Sequence, residues 1–394
     1  MTTNKMVAVH MLLMNYFLLG LTSNRPHLHQ VLTEHGCGFI GREIVHLLVT
    51  EDAAESVLVV DKVPPQMAWL GPKHQTAFKN DIVTFKSANL INPTSVENVF
   101  DQHYDWVINA AGETKIGLNE SVYAEGITKL SVNCAEAAAR HNVEMFLEIS
   151  DGRMNSSEKT GMTELDACKP WCTVSSCKRQ VEERLELIEN LPYVILRPGL
   201  VYGPGDKHGL VRNLVMGAVY RQLQEKMKLL WDGSLCINTV HVTDLARAAL
   251  FVCRLGQSKE IFHVVDEARS TQGSLADLIA NIFAIKVDYY GSAASHLAKL
   301  DSEGTVADAN EKHLPPWASL CNEGAVSNSP LTPYVDADVL KGSHLHLDAT
   351  KLSKLGFTLT VPRPTRDHLV QILEELVELK MFPRTALPKG VLSA

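Results

Sequence analysis

The run Gly36-Cys37-Gly38-Phe39-Ile40-Gly41 constrains the fold of this chain more than any other sequence feature. It is a GxGxxG run, preceded by an apolar strand candidate at 29–33 and followed by the helix-like segment EIVHLLVTE. A second strand candidate, 56–60, ends at Asp61, twenty residues after the last glycine. The first glycine permits a tight turn, the second lets the backbone approach a pyrophosphate, and the third lets helix and strand pack closely. Because the start of a helix offers free N–H groups and a positive dipole, this unit predicts a dinucleotide site.

Asp61 predicts which dinucleotide binds there. A carboxylate at this position can accept both hydroxyls of the adenosine ribose of NAD, and it would repel the 2′-phosphate of NADP. The alternative is an exposed acid at a strand end with no ligand. The surrounding motif favours the ribose ligand, so we expect NAD as the cofactor.

Composition excludes several other classes of protein. The chain has 394 residues, of which 45% are hydrophobic and 21% charged, enough for one large domain with a smaller lobe. A net charge of −8 without a basic block argues against a nucleic-acid partner. The eight cysteines form no CxxC pair and no zinc-type pair with histidine, so we expect free thiols and no metal site. His344 and His346 share one face of a strand-like segment but have no third ligand nearby.

Residues 1–27 form an apolar leader of uncertain role. Its core, 6–21, reads MVAVHMLLMNYFLLGL, is interrupted by His10 and Asn15, and is short for a membrane span. A signal peptide, a membrane anchor and a buried extra helix all stay open. We expect a cytoplasmic protein.

From residue 28 onward, short apolar strands alternate with helical segments. Strands are expected at 82–85, 106–109, 146–150, 193–197 and 261–265, and helices at 95–100, 120–141 and 174–189. This alternation predicts an α/β fold, a doubly wound Rossmann-type parallel sheet with a smaller C-terminal substrate lobe. We assign 28–205 to the dinucleotide-binding domain and 206–394 to a C-terminal region. About 237–266 of that region should return to the core.

Five segments carry a more specific pattern: HGCGFIG at 35–41, VLVVD at 57–61, VINAAG at 107–112, LRPGLVYGPGD at 196–206 and VHVTDLARA at 240–248. Together they resemble the extended short-chain dehydrogenase/reductase superfamily, in its NAD-dependent epimerase/dehydratase branch. The resemblance implies that Asn89 contacts adenine and that Asn133 is a structural asparagine. The cofactor residues that it implies are Gly36, Gly38, Phe39, Ile40, Gly41, Asp61, Asn89, Ala110, Ala111, Gly112, Lys178 and Pro198.

The glycine loop departs from this family at two positions. The family's loop begins with Thr and Gly, where this chain has Glu34 and His35. We expect His35, which carries a β-carbon, to be strained in a turn suited to glycine. We also expect Glu34 to add a negative charge near the phosphates, so both residues should weaken cofactor binding.

The catalytic residues depart further. The family uses a Tyr-x-x-x-Lys pair with a Ser or Thr: the lysine lowers the tyrosine pKa, the tyrosine transfers the proton, and the hydroxyl orients the substrate oxygen. Lys178 matches the lysine, but Val174 stands at the tyrosine position. The hydroxyl position falls on Ser150 or Asp151, so the catalytic candidates are Lys178, Ser150 and Asp151. A surface lysine at 178 and a turn aspartate at 151 are the alternatives.

These departures shape the expected function. Nucleotide-sugar members carry an arginine before the VHV segment, whereas 236–239 holds no cation, which favours a non-nucleotide substrate. We expect an NAD-binding protein of oxidoreductase ancestry, acting on a secondary alcohol or its ketone, with weak or lost activity. The alternative is a non-catalytic dinucleotide-binding sensor or scaffold. The small-molecule substrate is unknown, and a homodimer is possible.

Overall fold

Seven parallel strands form the central sheet of a computed structural model, which describes residues 28–392. The strands, in chain order, are β1 His29–Glu34, β2 Ala54–Asp61, β3 Val83–Ser87, β4 Trp106–Asn109, β5 Met145–Ile149, β6 Tyr193–Pro198, β7 Leu200–Tyr202, β8 Met227–Leu229, β9 Thr239–His241, β10 Glu260–Val264 and β11 Val287–Tyr289. The central sheet has the order β3-β2-β1-β4-β5-β6-β10. The strands β8 and β11 form one additional parallel pair, and β7 and β9 form another.

Helices cover both faces of the sheet and build the C-terminal lobe. They are α1 Phe39–Thr50, α2 Pro72–Ala77, α3 Pro93–Glu97, α4 Glu120–Tyr123, α5 Leu130–Arg140, α6 Thr173–Leu185, α7 Leu210–Leu223, α8 Val242–Leu255, α9 Gln272–Phe283, α10 Gly291–Leu300, α11 Ser302–Glu323, α12 Thr350–Lys354 and α13 Arg366–Glu378. Helices α1 and α8 pack on one face and α5 and α6 on the other. Because both faces are covered, the inner strands are nearly continuous apolar runs, as the sequence predicts for a parallel sheet. The predicted α/β fold class is confirmed.

The C-terminal region divides between the sheet and a separate helical core. Strand β10 pairs with β6 in the central sheet, whereas β9 pairs with β7 outside it. Helices α7, α9, α11 and α13 pack around their own apolar cluster. At Gly217 a β-carbon would lie 2.8 Å from the Ile279 side chain, so the glycine allows α7 and α9 to approach closely. The exact domain bounds stay a prediction.

The helix expected at 120–141 does not keep the α-helical hydrogen-bond pattern along its whole length. A π-helical segment, Ala124–Lys129, joins α4 to α5. There the Gly126 carbonyl accepts a hydrogen bond at 3.2 Å from the backbone N–H of Glu113, which lies outside the helix. Wider turns of this kind are frequent next to functional sites.

The predicted apolar leader at 1–27 lies outside the described residues. Among residues 28–392, no helix combines the length and the apolar character that crossing a membrane requires.

The sheet order fixes where a ligand can bind. Chain connections run from β1 to β2 and β3 in one direction, and through β4, β5 and β6 in the other. In open α/β sheets, ligands bind at the carboxyl ends of the strands where this order reverses. Here that point lies between β1 and β4, immediately before the glycine loop.

Candidate functional site

The glycine loop packs tightly between β1, β2 and the start of α1. At Gly36 a β-carbon would lie 2.8 Å from the Val59 side chain. At Gly41 it would collide with the carbonyl of His35 and lie 2.7 Å from the Gly36 Cα. Helix α1 begins right after Gly38, which has an extended backbone. The close approach of helix and strand that the sequence predicts for the last glycine is therefore present.

His35 adopts the strained backbone that its position in the loop predicts. Its φ is +55°, in the left-handed region that favours glycine. Its ring lies over Gly38, where an added β-carbon would come within 2.5 Å of Nε2. Its Nδ1 lies 3.2 Å from Asp61 Oδ2, and its side chain is 42% exposed. The ring therefore lies over the surface that a dinucleotide backbone would have to approach.

Asp61 lies at the end of β2 and is 4% exposed. Its Oδ2 accepts the backbone N–H of Cys37 at 3.2 Å, and its Oδ1 accepts that of Val63 at 3.0 Å. Burial raises the pKa of this carboxyl, but the His35 ring and the two N–H groups outweigh burial, so the pKa lies below its usual value. Asp61 is thus a charged acid beside the loop, covered by His35.

The environment of Glu34 differs from the one that the sequence predicts. The side chain is fully buried beside the Cys134 thiol of α5, and burial raises its pKa to about 8. A carboxyl with that pKa is mostly protonated at neutral pH, so the predicted negative charge near the phosphates is wrong. The cause is the desolvation of the carboxyl by burial, and the nearby Glu148 raises the pKa further.

Lys178 is a buried residue of α6, only 7% exposed, so the alternative of a surface lysine is wrong. Its Nζ donates to Glu148 Oε1 at 2.7 Å and to the Ala111 carbonyl at 3.2 Å. Glu148, on β5, also accepts from Asn109 Nδ2 at 2.7 Å. Burial raises the pKa of Glu148, and Lys178 opposes that rise. Sequence reasoning missed Glu148, since an acid in an apolar strand gives no signal of its partner.

One cavity of about 1010 Å³ brings six of the twelve predicted cofactor residues together with Val174. Helix α6 places Val174 one turn before Lys178, and both side chains line this cavity. The other predicted residues on its wall are Ile40, Ala110, Ala111, Gly112 and Pro198. The cavity thus extends from the start of α1 to the ends of β4 and β6.

Ser150 and Asp151 also line the cavity, but their polar atoms are engaged. Ser150 Oγ donates at 2.6 Å to Glu182, whose carboxylate also accepts from Arg197. Both oxygens of Asp151 accept from the Arg153 guanidinium, at 2.7 to 3.1 Å. A catalytic role for either residue stays a prediction.

The remaining predicted residues lie at the same edge of the sheet. Asn89 is exposed, two residues after β3, and accepts the Ile91 N–H at 3.3 Å. Asn133 donates to the carbonyls of Leu90 and Ile91, so it fixes this loop as a structural asparagine would. Phe39 packs in the first turn of α1, close to Gly205.

The two histidines of the strand-like segment, His344 and His346, have different hydrogen-bond partners. His344 Nδ1 accepts the Cys236 N–H at 3.1 Å, whereas His346 Nδ1 lies 3.3 Å from the Ser157 carbonyl, so the two rings bond to different loops. Among residues 28–392, no group of three or more His, Cys, Asp or Glu side chains could hold a metal ion. All eight cysteines are free thiols, as predicted.

A model of the NAD dependent epimerase/dehydratase family matches residues 36–265. The chain belongs to this family. The dTDP-4-dehydro-6-deoxy-D-allose reductase of Streptomyces bikiniensis is 32% identical over 93 residues, which are 23% of this chain and 27% of that enzyme. The chain thus aligns with about a quarter of this relative's length.

Solved structures show the same fold over most of the chain. UDP-glucose 4-epimerase of Thermotoga maritima, solved with UDP-glucose, has a TM-score of 0.64 at 20% identity and covers 89% of this chain and 99% of its own. The dTDP-glucose 4,6-dehydratase of Streptomyces venezuelae, solved with NAD, has a TM-score of 0.65 at 16% identity, covering 89% and 97%. The predicted family and fold, and NAD as the family's cofactor, are confirmed.

Proposed function

We propose that this chain binds NAD at the carboxyl edge of the sheet and carries out hydride transfer slowly or not at all. Family membership, the glycine loop and the cavity beside Ala110–Gly112 and Lys178 support NAD binding. NAD, when bound, would accept or donate a hydride at the carbon of a secondary alcohol or its ketone. The oxygen of that substrate would then need a proton donor or acceptor on the cavity wall.

Val174 is the observation that carries the proposal. It occupies the cavity wall one helical turn before Lys178, where the family has its tyrosine, and valine cannot exchange a proton. The Lys178 ammonium is bound to Glu148 and the Ala111 carbonyl, so it has no phenol to activate. General acid–base help of this kind contributes about 10²–10⁴-fold to a rate, and the chain lacks the group that provides it.

The residues around the glycine loop fit NAD if the His35 ring turns away from Asp61. Asp61 is charged and lies at the end of β2, which supports a contact with the adenosine ribose. The His35 ring covers it but is partly exposed, which leaves it room to turn toward solvent. Calorimetric titration with NAD and with NADP tests this assignment. We expect tighter binding of NAD, and tighter binding of NADP would contradict the role given to Asp61.

A turnover measurement tests the second half of the proposal. Purified chain with NAD or NADH and a panel of secondary alcohols and ketones should show negligible change in NADH absorbance. Rates in the ordinary enzymatic range that disappear in Lys178→Ala would contradict the inactive interpretation. Ser150 and Asp151, which line the cavity, would then be the next proton donors to replace.

A non-catalytic sensor or scaffold is the second candidate function. The engaged side chains of Ser150 and Asp151 favour it, because no free acid or hydroxyl is in place of the tyrosine. A sensor would bind NAD and stay inactive even when the tyrosine is restored. A cytoplasmic location and a homodimer remain part of this proposal.

A further inference from the structure

Beyond the cofactor residues, the cavity extends along one face of α7. Arg212, Met216 and Tyr220 line it at intervals of four residues, so they share a face and span about 12 Å of the helix. The facing wall is largely apolar, with side chains of Met227, Leu275, Ile279, Leu297 and Val306. We call this part of the cavity the α7 arm.

Arg212 is a partly buried cation at one end of the α7 arm. Among the described residues, its guanidinium forms no hydrogen bond and no ion pair; burial lowers its pKa, and the charges of Asp336, Asp206 and Asp338 oppose that lowering. Asp336 and Asp338 face the same part of the cavity, yet neither forms an ion pair with Arg212. The other guanidinium there, Arg153, is bound by Asp151. A cation that is partly removed from water without an ion pair is costly, and a bound anion would offset that cost.

The other end of the α7 arm is closed by groups that bind each other. Tyr220 Oη lies 3.1 Å from His313 Nε2, and both residues are buried. The Lys312 ammonium lies over the Tyr220 ring and is bound by Glu225. Among the described residues, Arg212 is therefore a cation of the arm without an ion pair. The wall of the cavity is mainly apolar, although Lys228 and Asp308 also line it.

We propose that the α7 arm binds an amphipathic molecule, with one anionic group on Arg212 and an apolar body lying along α7 toward Tyr220. This inference rests on the proposed function, because it names the substrate class of the same cavity. A nucleoside diphosphate also carries anionic groups, but its ribose and base would lie against apolar side chains that offer them few hydrogen-bond partners. An apolar body gains free energy from the same wall.

Calorimetric titration of the full chain with octanoate, octan-1-ol and UDP, without NAD, tests this proposal. We expect octanoate to bind more tightly than octan-1-ol and UDP. A charge-assisted hydrogen bond corresponds to about ten- to hundred-fold in affinity, so Arg212→Met should weaken octanoate binding by that factor and leave octan-1-ol unchanged. Arg212→Lys should keep most of the octanoate affinity. Met216→Gln should weaken both chain-like ligands.

Arg184→Met, an exposed arginine of α6, is the matched control and should change nothing. Binding of UDP that exceeds octanoate binding and depends on Arg212 would overturn the proposal, because the anion would then be a diphosphate. Octanoate binding that is no tighter than octan-1-ol binding would also overturn it, even if Arg212→Met fails to fold. If the chain binds octanoate but not NAD, the proposed function is contradicted and the proposal for the α7 arm is not.

Discussion

At the scale of single residues, the proposed function depends on two side chains. Val174 lines the cavity one helical turn before Lys178 and cannot exchange a proton, and His35 lies over Gly38 in the glycine loop. Both are visible in the sequence. Their consequences depend on neighbours that the sequence does not reveal, namely Glu148 beneath Lys178 and Asp61 beside His35.

Restoring the phenol should restore proton transfer if the rest of the site is intact. Val174→Tyr places a hydroxyl on the same helix face as Lys178, one turn away, where the ammonium can stabilise phenolate. We expect alcohol- or ketone-dependent NADH turnover to rise by about 10²–10⁴-fold, measured as absorbance of NADH. Val174→Phe is the control, since it adds the ring without the hydroxyl. Equal rates for the two variants would show that the phenol is not the missing group.

Removing the His35 ring should strengthen NAD binding. His35→Gly relieves a left-handed backbone and uncovers Gly38 and Asp61, so NAD affinity should rise by about 1–3 kcal/mol. Titration calorimetry measures this gain. Asn142→Gly is a matched control, because Asn142 has a similar φ of +53° after α5 and should leave NAD binding unchanged. Unchanged affinity in His35→Gly would mean that the loop has adapted to the ring.

At the scale of elements, the packing of β1 against α5 buries acids beneath the site. Glu34 of β1 lies beside Cys134 of α5, with Glu148 of β5 close enough to raise its pKa further. The folded protein holds a proton on Glu34 up to about pH 8, whereas an unfolded chain releases it near pH 4.5. Folding therefore takes up a proton between these values.

The sign of the resulting pH dependence follows from this proton. The folded state binds this proton more tightly than the unfolded state does. The stabilisation that Glu34 adds to the free energy of unfolding is therefore complete below about pH 4.5 and is lost as the pH rises to about 8. Burial lowers the pKa of His74 to about 4. His74 therefore makes the free energy of unfolding rise with pH, but only up to its unfolded pKa of 6.5. Between pH 6.5 and 8 we expect the free energy of unfolding to fall by about 2 kcal/mol.

Glu34→Gln should remove this slope, since the amide does not titrate. Denaturant unfolding at several pH values measures it, and the difference between wild type and variant isolates Glu34. The exposed Glu55 of β2 provides the control variant, Glu55→Gln, which should keep the slope. A flat wild-type profile between pH 6.5 and 8 would mean that Glu34 is ionised in the folded protein.

At the scale of the whole molecule, Asp244 connects helix α8 to the C-terminal segment. Asp244 lies in the first turn of α8. Its carboxylate is fully buried and accepts the backbone N–H groups of Thr360 and Val361 at 2.8 and 2.7 Å, as well as the Thr360 hydroxyl. It also pairs with Arg247.

Asp244→Ala should therefore destabilise the protein far more than the loss of a helix-start acid would. The buried Asp244 carboxylate loses its hydrogen bonds to Thr360 and Val361, and a hydrogen bond to a charged group contributes about 1.5–3 kcal/mol, so we expect the free energy of unfolding to fall by about 3 kcal/mol or more. Denaturant unfolding measures this change. Asp277→Ala, an exposed acid of α9, should stay within about 0.5 kcal/mol of wild type. Similar values for both variants would contradict the connecting role of Asp244.

The sequence alone determined the sheet, the glycine loop and the spacing of Val174 and Lys178. These depend on local signals: apolar strands buried on both faces, glycines where backbone segments touch, and a residue type at a fixed helical spacing. The helix and strand bounds shifted by only a few residues, as at α3, which was expected at 95–100 and lies at 93–97.

Only the tertiary structure decided which charges are present at the site and which are compensated. Glu34 was expected to be charged and holds its proton, and Lys178 is paired with an acid 30 residues away. Arg212 forms no ion pair with the residues that the structure describes, although acids lie near it. The protonation and pairing of a side chain depend on how deeply it is buried and on groups brought together from distant parts of the chain. No spacing rule in one sequence encodes these distances, because the fold itself creates them.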